Sequence, residues 1–246
     1  MTTKYPSKDV RWKWIEERGY KVFSDSHQLE YMKSLWSPLN EVQSVFVDAK
    51  SGTGKTSLAV AGGVYAVENQ EYDKIIYVRN TVAVRDQGFL PGDIENKEEV
   101  YYSPLFDALE TLSHDGYQNW YDNDDEHKKI HTVSTSYLRG VNFKNAWIII
   151  DEAQSMDLLE LQTTLTRIHD SCKVIVIGST LQNDNRKLKY FNGLSPFELY
   201  IKHFENEPDN RIHELVTNFR GKFSQHSDEI GKTINKITNE NIYLQS

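Results

Sequence analysis

An α/β architecture with a mostly parallel central sheet follows from three features of this sequence. Short apolar, β-branched runs alternate with amphipathic stretches along the 246 residues. Two of those runs, "AWIII" (146–150) and "KVIVI" (173–177), lack polar alternation, as strands buried on both faces of a parallel sheet do. A glycine-rich stretch, "AKSGTGKT" (49–56), lies between one apolar run and a helical stretch, which is the setting of a phosphate-binding loop.

Taken along the chain, strands are expected at "SVFV" (44–47), "KIIYV" (74–78), "HTVST" (131–135), "AWIII", "KVIVI" and "IHELV" (212–216). Helices are expected from Lys55 to about Glu68 and near 99–113, 157–168, 195–204 and 223–236. Leu158, Leu161, Leu165 and Ile168 recur at helical spacing, and Asp157 with Glu160 has the spacing of a capping pair. Gly62 and Gly63, inside the first of these helices, cost about 1 kcal/mol each relative to alanine, so close packing is expected against them. "VRDQGFLPGDIENK" (84–97) is rich in turn formers and reads as an ordered loop. No repeat or flexible linker interrupts the pattern. Residues 1–25 read as an N-terminal extension and 26–246 as one domain. Trp12 and Trp14, in a charged stretch, either pack that extension onto the core or stack on bases.

Composition narrows the function. No apolar run reaches the roughly eighteen residues that cross a membrane, and the N-terminus lacks the apolar segment of a signal peptide. The single cysteine, Cys172, excludes an internal disulfide and C-x-x-C metal clusters. A soluble, cytoplasmic protein with no membrane partner is expected. The net charge of −8 argues against a constitutive nucleic-acid binder, although a local basic groove would suffice.

In the phosphate loop, Gly52 and Gly54 let the backbone turn so that successive N–H groups face an anion. Ser51, Gly52, Thr53, Gly54, Lys55, Thr56 and Ser57 form the expected cradle, with the helix N-terminus aimed at the same charge. Lys55 is placed for the β- and γ-phosphates, and the Thr56 hydroxyl for Mg²⁺. Ala49 stands where the loop pattern asks for glycine, but ordinary backbone dihedrals accommodate it. "AWIIIDEAQ" (146–154) delivers Asp151 to the carboxyl edge of the sheet, where ligands of such folds bind. Asp151 is the expected Mg²⁺ ligand, and Glu152 the base that orients and deprotonates an attacking water. "VIVIGSTLQND" (174–184) ends a third strand at the same edge, with Gln182 placed to sense the γ-phosphate and Ser179 beside it.

Together with "YVRN" (77–80), "GFLPGD" (88–93), "YSPLFDAL" (102–109), "YLRG" (137–140), "LTRI" (165–168) and "GSTLQND" (178–184), these elements resemble the PhoH family of ATPases, itself similar to the first motor half of superfamily 1 helicases. The resemblance covers roughly residues 25 to 235. It implies a three-layer P-loop NTPase (RecA-like) core that binds ATP with Mg²⁺ and hydrolyses it. Three positions depart from the family pattern: glycine at 49, proline at 80 and aspartate at 179 are here Ala49, Asn80 and Ser179. Asn80 is expected to change only a loop, whereas Ser179 removes a carboxylate from the coupling loop.

The same likeness implies that Gln28, in "SHQLEYMKSL" (26–35), reads adenine, a surface glutamine being the competing reading. In "ELVTNFRGKF" (214–223), Phe219 would stack on adenine and Arg220 would contact the γ-phosphate; a core phenylalanine beside a surface arginine competes with this. Arg167 is expected to face away from the nucleotide, and Arg139 is left open. Only about ten residues follow the 223–236 helix, so another subunit, in a homo-oligomer and by family likeness a hexameric ring, would supply the second wall of a motor cleft. The implied activity is ATP hydrolysis coupled to RNA or single-stranded DNA. A slow nucleotide-gated switch in protein–protein interactions is the alternative. A small-molecule kinase fits less well, since it explains neither "DEAQ" nor Gln182.

Overall fold

The structure is a computed structural model; it describes residues 10–80, 100–122, 128–135, 142–181, 191–230, 232–233 and 237. Six strands form one sheet: β1 (Ser44–Ala49), β2 (Lys74–Arg79), β3 (Ile130–Ser134), β4 (Ala146–Asp151), β5 (Lys173–Gly178) and β6 (Asn210–Leu215). Their order is β3-β2-β4-β5-β1-β6, and every pairing is parallel. Each of the six expected strands is present. β4 and β5 are buried at every position, as their unbroken apolar runs required.

Alternate residues of the strands point into two separate cores. Val45, Val47, Ile75, Tyr77, Trp147, Ile149 and Ile175 pack under α1 (Val10–Glu17), α2 (Ser26–Trp36), α3 (Lys55–Glu68), α4 (Ser103–Leu112) and α5 (Gly116–Trp120). Phe46, Ile76, Val78, Ile148, Ile150 and Val176 pack under α6 (Leu158–Leu165) and α7 (Pro196–Phe204). The result is a three-layer α/β/α sandwich of the P-loop, RecA-like kind. The last helix described, α8 (Lys222–Asp228), follows β6.

Several helices end where local chemistry dictates. α6 begins with a full capping box between Asp157 and Glu160. It stops at Leu165, short of the expected 168. Thr166 Oγ1 donates to the Gln162 carbonyl at 2.7 Å, and Ile168 leaves to bridge Phe143. α7 starts with a second capping box, Ser195 with Glu198, and has proline in its first turn. The glycines of α3 are explained by Trp147. A Cβ on Gly63 would lie 2.6 Å from the indole, and one on Gly62 3.1 Å. The indole N–H donates to the Ala59 carbonyl at 3.1 Å.

α1 and α5 carry too weak a periodicity to be expected from sequence. α1 is held by its aromatics: Trp12 meets Trp36 edge-on at 5.1 Å, and Trp14 meets Tyr65 at 5.2 Å. Arg11 donates to the Trp36 carbonyl at 2.7 Å and pairs with Glu71 at 2.9 Å. At the amino edge of the sheet, Lys173 is fully buried and donates to the carbonyls of Ser34, Ser37 and Val42 at 2.9, 3.2 and 2.5 Å. Burial and the nearby Arg211 charge push its ammonium down to about 7. Among the described residues, no helix is long and apolar enough to cross a membrane.

Candidate functional site

The parallel sheet brings the carboxyl ends of β1, β5 and β4 side by side, and the glycine loop leaves β1 there. Gly52 and Gly54 hold φ of 78° and 81°, left-handed values that side chains rarely adopt. Ala49 closes β1 in extended backbone, so the missing glycine costs nothing. Lys55 begins α3 and is 7 % exposed. Its Nζ donates to the carbonyls of Ala49 and Lys50 at 3.0 and 3.4 Å, which folds the side chain back over the loop.

Thr56 Oγ1 donates to Asp151 Oδ2 at 3.0 Å. Asp151 is buried, and its carboxylate has two further donors. The Tyr77 hydroxyl reaches Oδ2, and the Glu152 N–H reaches Oδ1 at 2.9 Å. Burial first, and then the Asp151 charge, hold the Tyr77 phenol well above its ordinary range, so it stays a donor. Glu152 adopts φ 54°, ψ 40°, a left-handed conformation unusual for glutamate and of the kind found at functional sites. Gln154 Nε2 donates to Glu152 Oε2 at 2.5 Å, while Gln154 Oε1 accepts the Ser179 N–H at 3.1 Å.

β5 lies between β1 and β4, so residues 178–180 stand between the ends of those two strands. Asp48, one residue before the end of β1, accepts from Thr180 N–H at 2.9 Å and Thr180 Oγ1 at 2.7 Å. Ser179 thus joins the network through its backbone; its buried hydroxyl makes no hydrogen bond to the described residues. Gln182 and Arg139 lie outside the described residues. Asn80 does more than the loop change expected of it. Its amide donates to the Ser155 carbonyl and to Glu160 Oε2, each at 3.1 Å, tying the end of β2 to the start of α6. Proline has no side-chain donor for this contact. Arg167 follows α6 and accepts the Phe143 N–H on its carbonyl at 3.0 Å.

A cavity of about 610 Å³ sits over this edge. Its floor is Ser51, Gly52, Gly54, Lys55, Thr56 and Ser57, with Glu152 at one side. Gln28 lines it and is nearly buried; its Nε2 donates to the Thr53 carbonyl at 2.9 Å. Asp25 caps α2 through the Gln28 N–H at 2.9 Å and accepts from Thr217 at 2.6 Å, joining α2 to the segment after β6. That segment brings Phe219 and Arg220 to the cavity. The Phe219 N–H donates to the Gly52 carbonyl at 2.8 Å, and its ring is half exposed rather than in the core.

Several residues of the site escape sequence reasoning. Asn218 packs so closely that a Cβ on Gly52 would lie 2.6 Å from its Oδ1. Ser103, Pro104 and Asp107 bring the start of α4 to the wall, and Gly19, Tyr20 and Lys21 bring the turn after α1. The first group falls inside "YSPLFDAL", a signal that was available. Tyr77 opens "YVRN" and so had the same kind of signal; Asp48 had none, because it acts on a residue far away in sequence.

The PhoH family, described as PhoH-like protein, matches residues 23–219. The chain is 35% identical over 198 residues to a PhoH-like protein of Synechocystis sp., covering 77% of this chain and 58% of that one. It is 34% identical over 158 residues to Protein PhoH of Escherichia coli, covering 64% of this chain and 43% of that one. The chain therefore spans about half the length of these curated relatives. Among solved structures, the large terminase of a thermophilic bacteriophage aligns over 80% of this chain and 48% of its own, with a TM-score of 0.51 and 11% identity. That likeness is one of fold.

Proposed function

Because this chain belongs to the PhoH family, we propose that it is a cytoplasmic Mg²⁺-dependent ATPase that hydrolyses ATP to ADP and phosphate, coupled to RNA or single-stranded DNA. The supporting observation is the meeting of Lys55, Thr56 and Glu152 at one cavity, with Asp151 hydrogen-bonded to Thr56 beneath it. Thr56 Oγ1 and Asp151 Oδ2 are 3.0 Å apart. Neighbouring ligands of an octahedral ion with Mg–O bonds of about 2.1 Å lie about 3 Å apart, so these two oxygens fit one such ion. Bound Mg²⁺ would neutralise charge on the transferring phosphoryl group.

The chain's own residues do the rest. The loop N–H groups and Lys55 hold the phosphates. Glu152 takes the proton of the attacking water, with Gln154 holding one of its oxygens. Gln28 selects adenine, Phe219 stacks on it, and Arg220 and Gln182 address the γ-phosphate. A second copy, in a homo-oligomer, supplies the other wall of the cleft.

Lys55→Ala and Glu152→Gln are each expected to lower ATP hydrolysis by at least about 10²-fold. Glu152→Gln should retain ATP binding in an equilibrium titration. Full turnover by both variants would defeat the assignment. A nucleotide-gated switch in protein–protein contacts is the second reading, favoured by Ser179, whose hydroxyl makes no hydrogen bond among the described residues. Hydrolysis rates with and without RNA or single-stranded DNA at low salt separate the two, and native mass with ATP tests the oligomer.

A further inference from the structure

Asp48 is the one charged residue of β1 and stands directly before the turn into the phosphate loop. Strand pairing does not favour a carboxylate there. Its register partner on β6 is Glu214, and like charges at paired positions are destabilising. Its partner on β5 is Gly178, which has no side chain. What the carboxylate does is hold Thr180. Oδ1 accepts the Thr180 N–H at 2.9 Å and Oδ2 accepts its hydroxyl at 2.7 Å. With backbone and side chain both held, the segment leaving β5 is fastened to the strand that carries the phosphate loop. The family pattern puts a carboxylate on this segment at 179. Here that residue is Ser179, and Asp48 brings a carboxylate to the next residue from the neighbouring strand.

The hydrogen bonds continue on the other side of β5. The Ser179 N–H donates to Gln154 Oε1 at 3.1 Å, and Gln154 Nε2 donates to Glu152 Oε2 at 2.5 Å. A side-chain amide has one accepting end and one donating end, so with its oxygen on Ser179 the buried Gln154 turns its nitrogen to Glu152. Asp48, Thr180, Ser179, Gln154 and Glu152 therefore form one chain of contacts across the ends of β1, β5 and β4.

We propose that Asp48 and Thr180 are positioning residues that set the Glu152 carboxylate in register with the phosphate loop, acting through Ser179 and Gln154. This role rests on the reading of Glu152 as the base of ATP hydrolysis. Asp48 and Thr180 line a separate cavity of about 260 Å³ beside α7 and β6, not the one over the phosphate loop, so they act on the reaction without touching ATP.

Steady-state ATP hydrolysis and equilibrium titration of ADP, both on the full chain, test the proposal. Asp48→Asn keeps the size but leaves one acceptor oxygen for two donors. Thr180→Val removes the hydroxyl and keeps the N–H. Each should lower kcat by about tenfold, within the roughly 10²-fold that a 1 Å misplacement of a reacting group can cost, while ADP affinity does not change. Thr180→Ser, which keeps both donors, should recover kcat. In a Gln154→Leu background, Asp48→Asn should lower kcat no further, because the chain of contacts is already broken. Unchanged kcat in either Asp48→Asn or Thr180→Val would overturn the proposal. So would a full second loss in the Gln154→Leu background, which would mean that Asp48 acts independently of Gln154. An equal fall in ADP affinity would mark a general disturbance of the loop and overturn it too. If Glu152→Gln hydrolyses ATP at the wild-type rate, the reading of Glu152 as base fails and the positioning role falls with it; if Glu152→Gln is inactive and Asp48→Asn is unaffected, the positioning role alone fails.

Discussion

Asp151 illustrates how far one carboxylate depends on its surroundings. Two hydroxyls and one backbone N–H converge on it, and the Tyr77 donor is fully buried. Outer-shell partners of this kind orient a metal ligand and typically contribute about 10–100-fold to metal affinity. Tyr77→Phe keeps the ring and removes only the donor. It is expected to weaken Mn²⁺ binding in the presence of ADP by about tenfold, measured by electron paramagnetic resonance, with little change in ADP binding without metal. An unaltered Mn²⁺ titration would show that Thr56 and Glu152 suffice. Position 151 was legible from the sequence because a buried apolar strand ending in Asp-Glu is a local pattern. Tyr77 was marked only as the start of "YVRN", and nothing in β2 itself says that its hydroxyl reaches Asp151.

The α3–β4 contact makes the same point for whole elements. Paired glycines in a helix signalled close packing, but not against what. The partner is Trp147, whose indole lies flush on α3. Gly63→Ala places a methyl group where only 2.6 Å is free beside a fully buried ring, and overpacking of this kind costs about 1–3 kcal/mol. The gain in helix propensity offsets at most about 1 kcal/mol. Net destabilisation is expected in urea unfolding, and more than for Gly62→Ala, where the nearest ring atom is 3.1 Å away. Equal stability of the two variants would refute the packing account. α6 shows the converse: its start was legible from Asp157 and Glu160, while its early end depends on Phe143 drawing Ile168 into a bridge.

Across the whole molecule, the two edges of the sheet do different jobs. The carboxyl edge carries the cavity, and the amino edge is tied down by Lys173, which binds the carbonyls at the end of α2. Its folded-state value of about 7 lies below the ordinary 10.5. Between those values the unfolded chain binds the proton and the folded chain does not, so this group's contribution to stability rises with pH from about 7 towards 10.5. Wild-type stability relative to Lys173→Met is expected to grow between pH 7 and 9.5 in denaturant titrations; a flat difference would mean the ammonium stays charged when buried. The strands, the phosphate loop, Asp151 and Glu152 could be read from the sequence, since burial periodicity and a strand–loop–helix junction are properties of neighbouring residues. The order β3-β2-β4-β5-β1-β6 could not, because strand pairing is a long-range choice with no local mark. That order sets the end of β5 between the ends of β1 and β4, so that Gln154 reaches Ser179 and Asp48 reaches Thr180. Packing of α1 over α3, equally unmarked in the sequence, sets Trp14 edge-on against Tyr65.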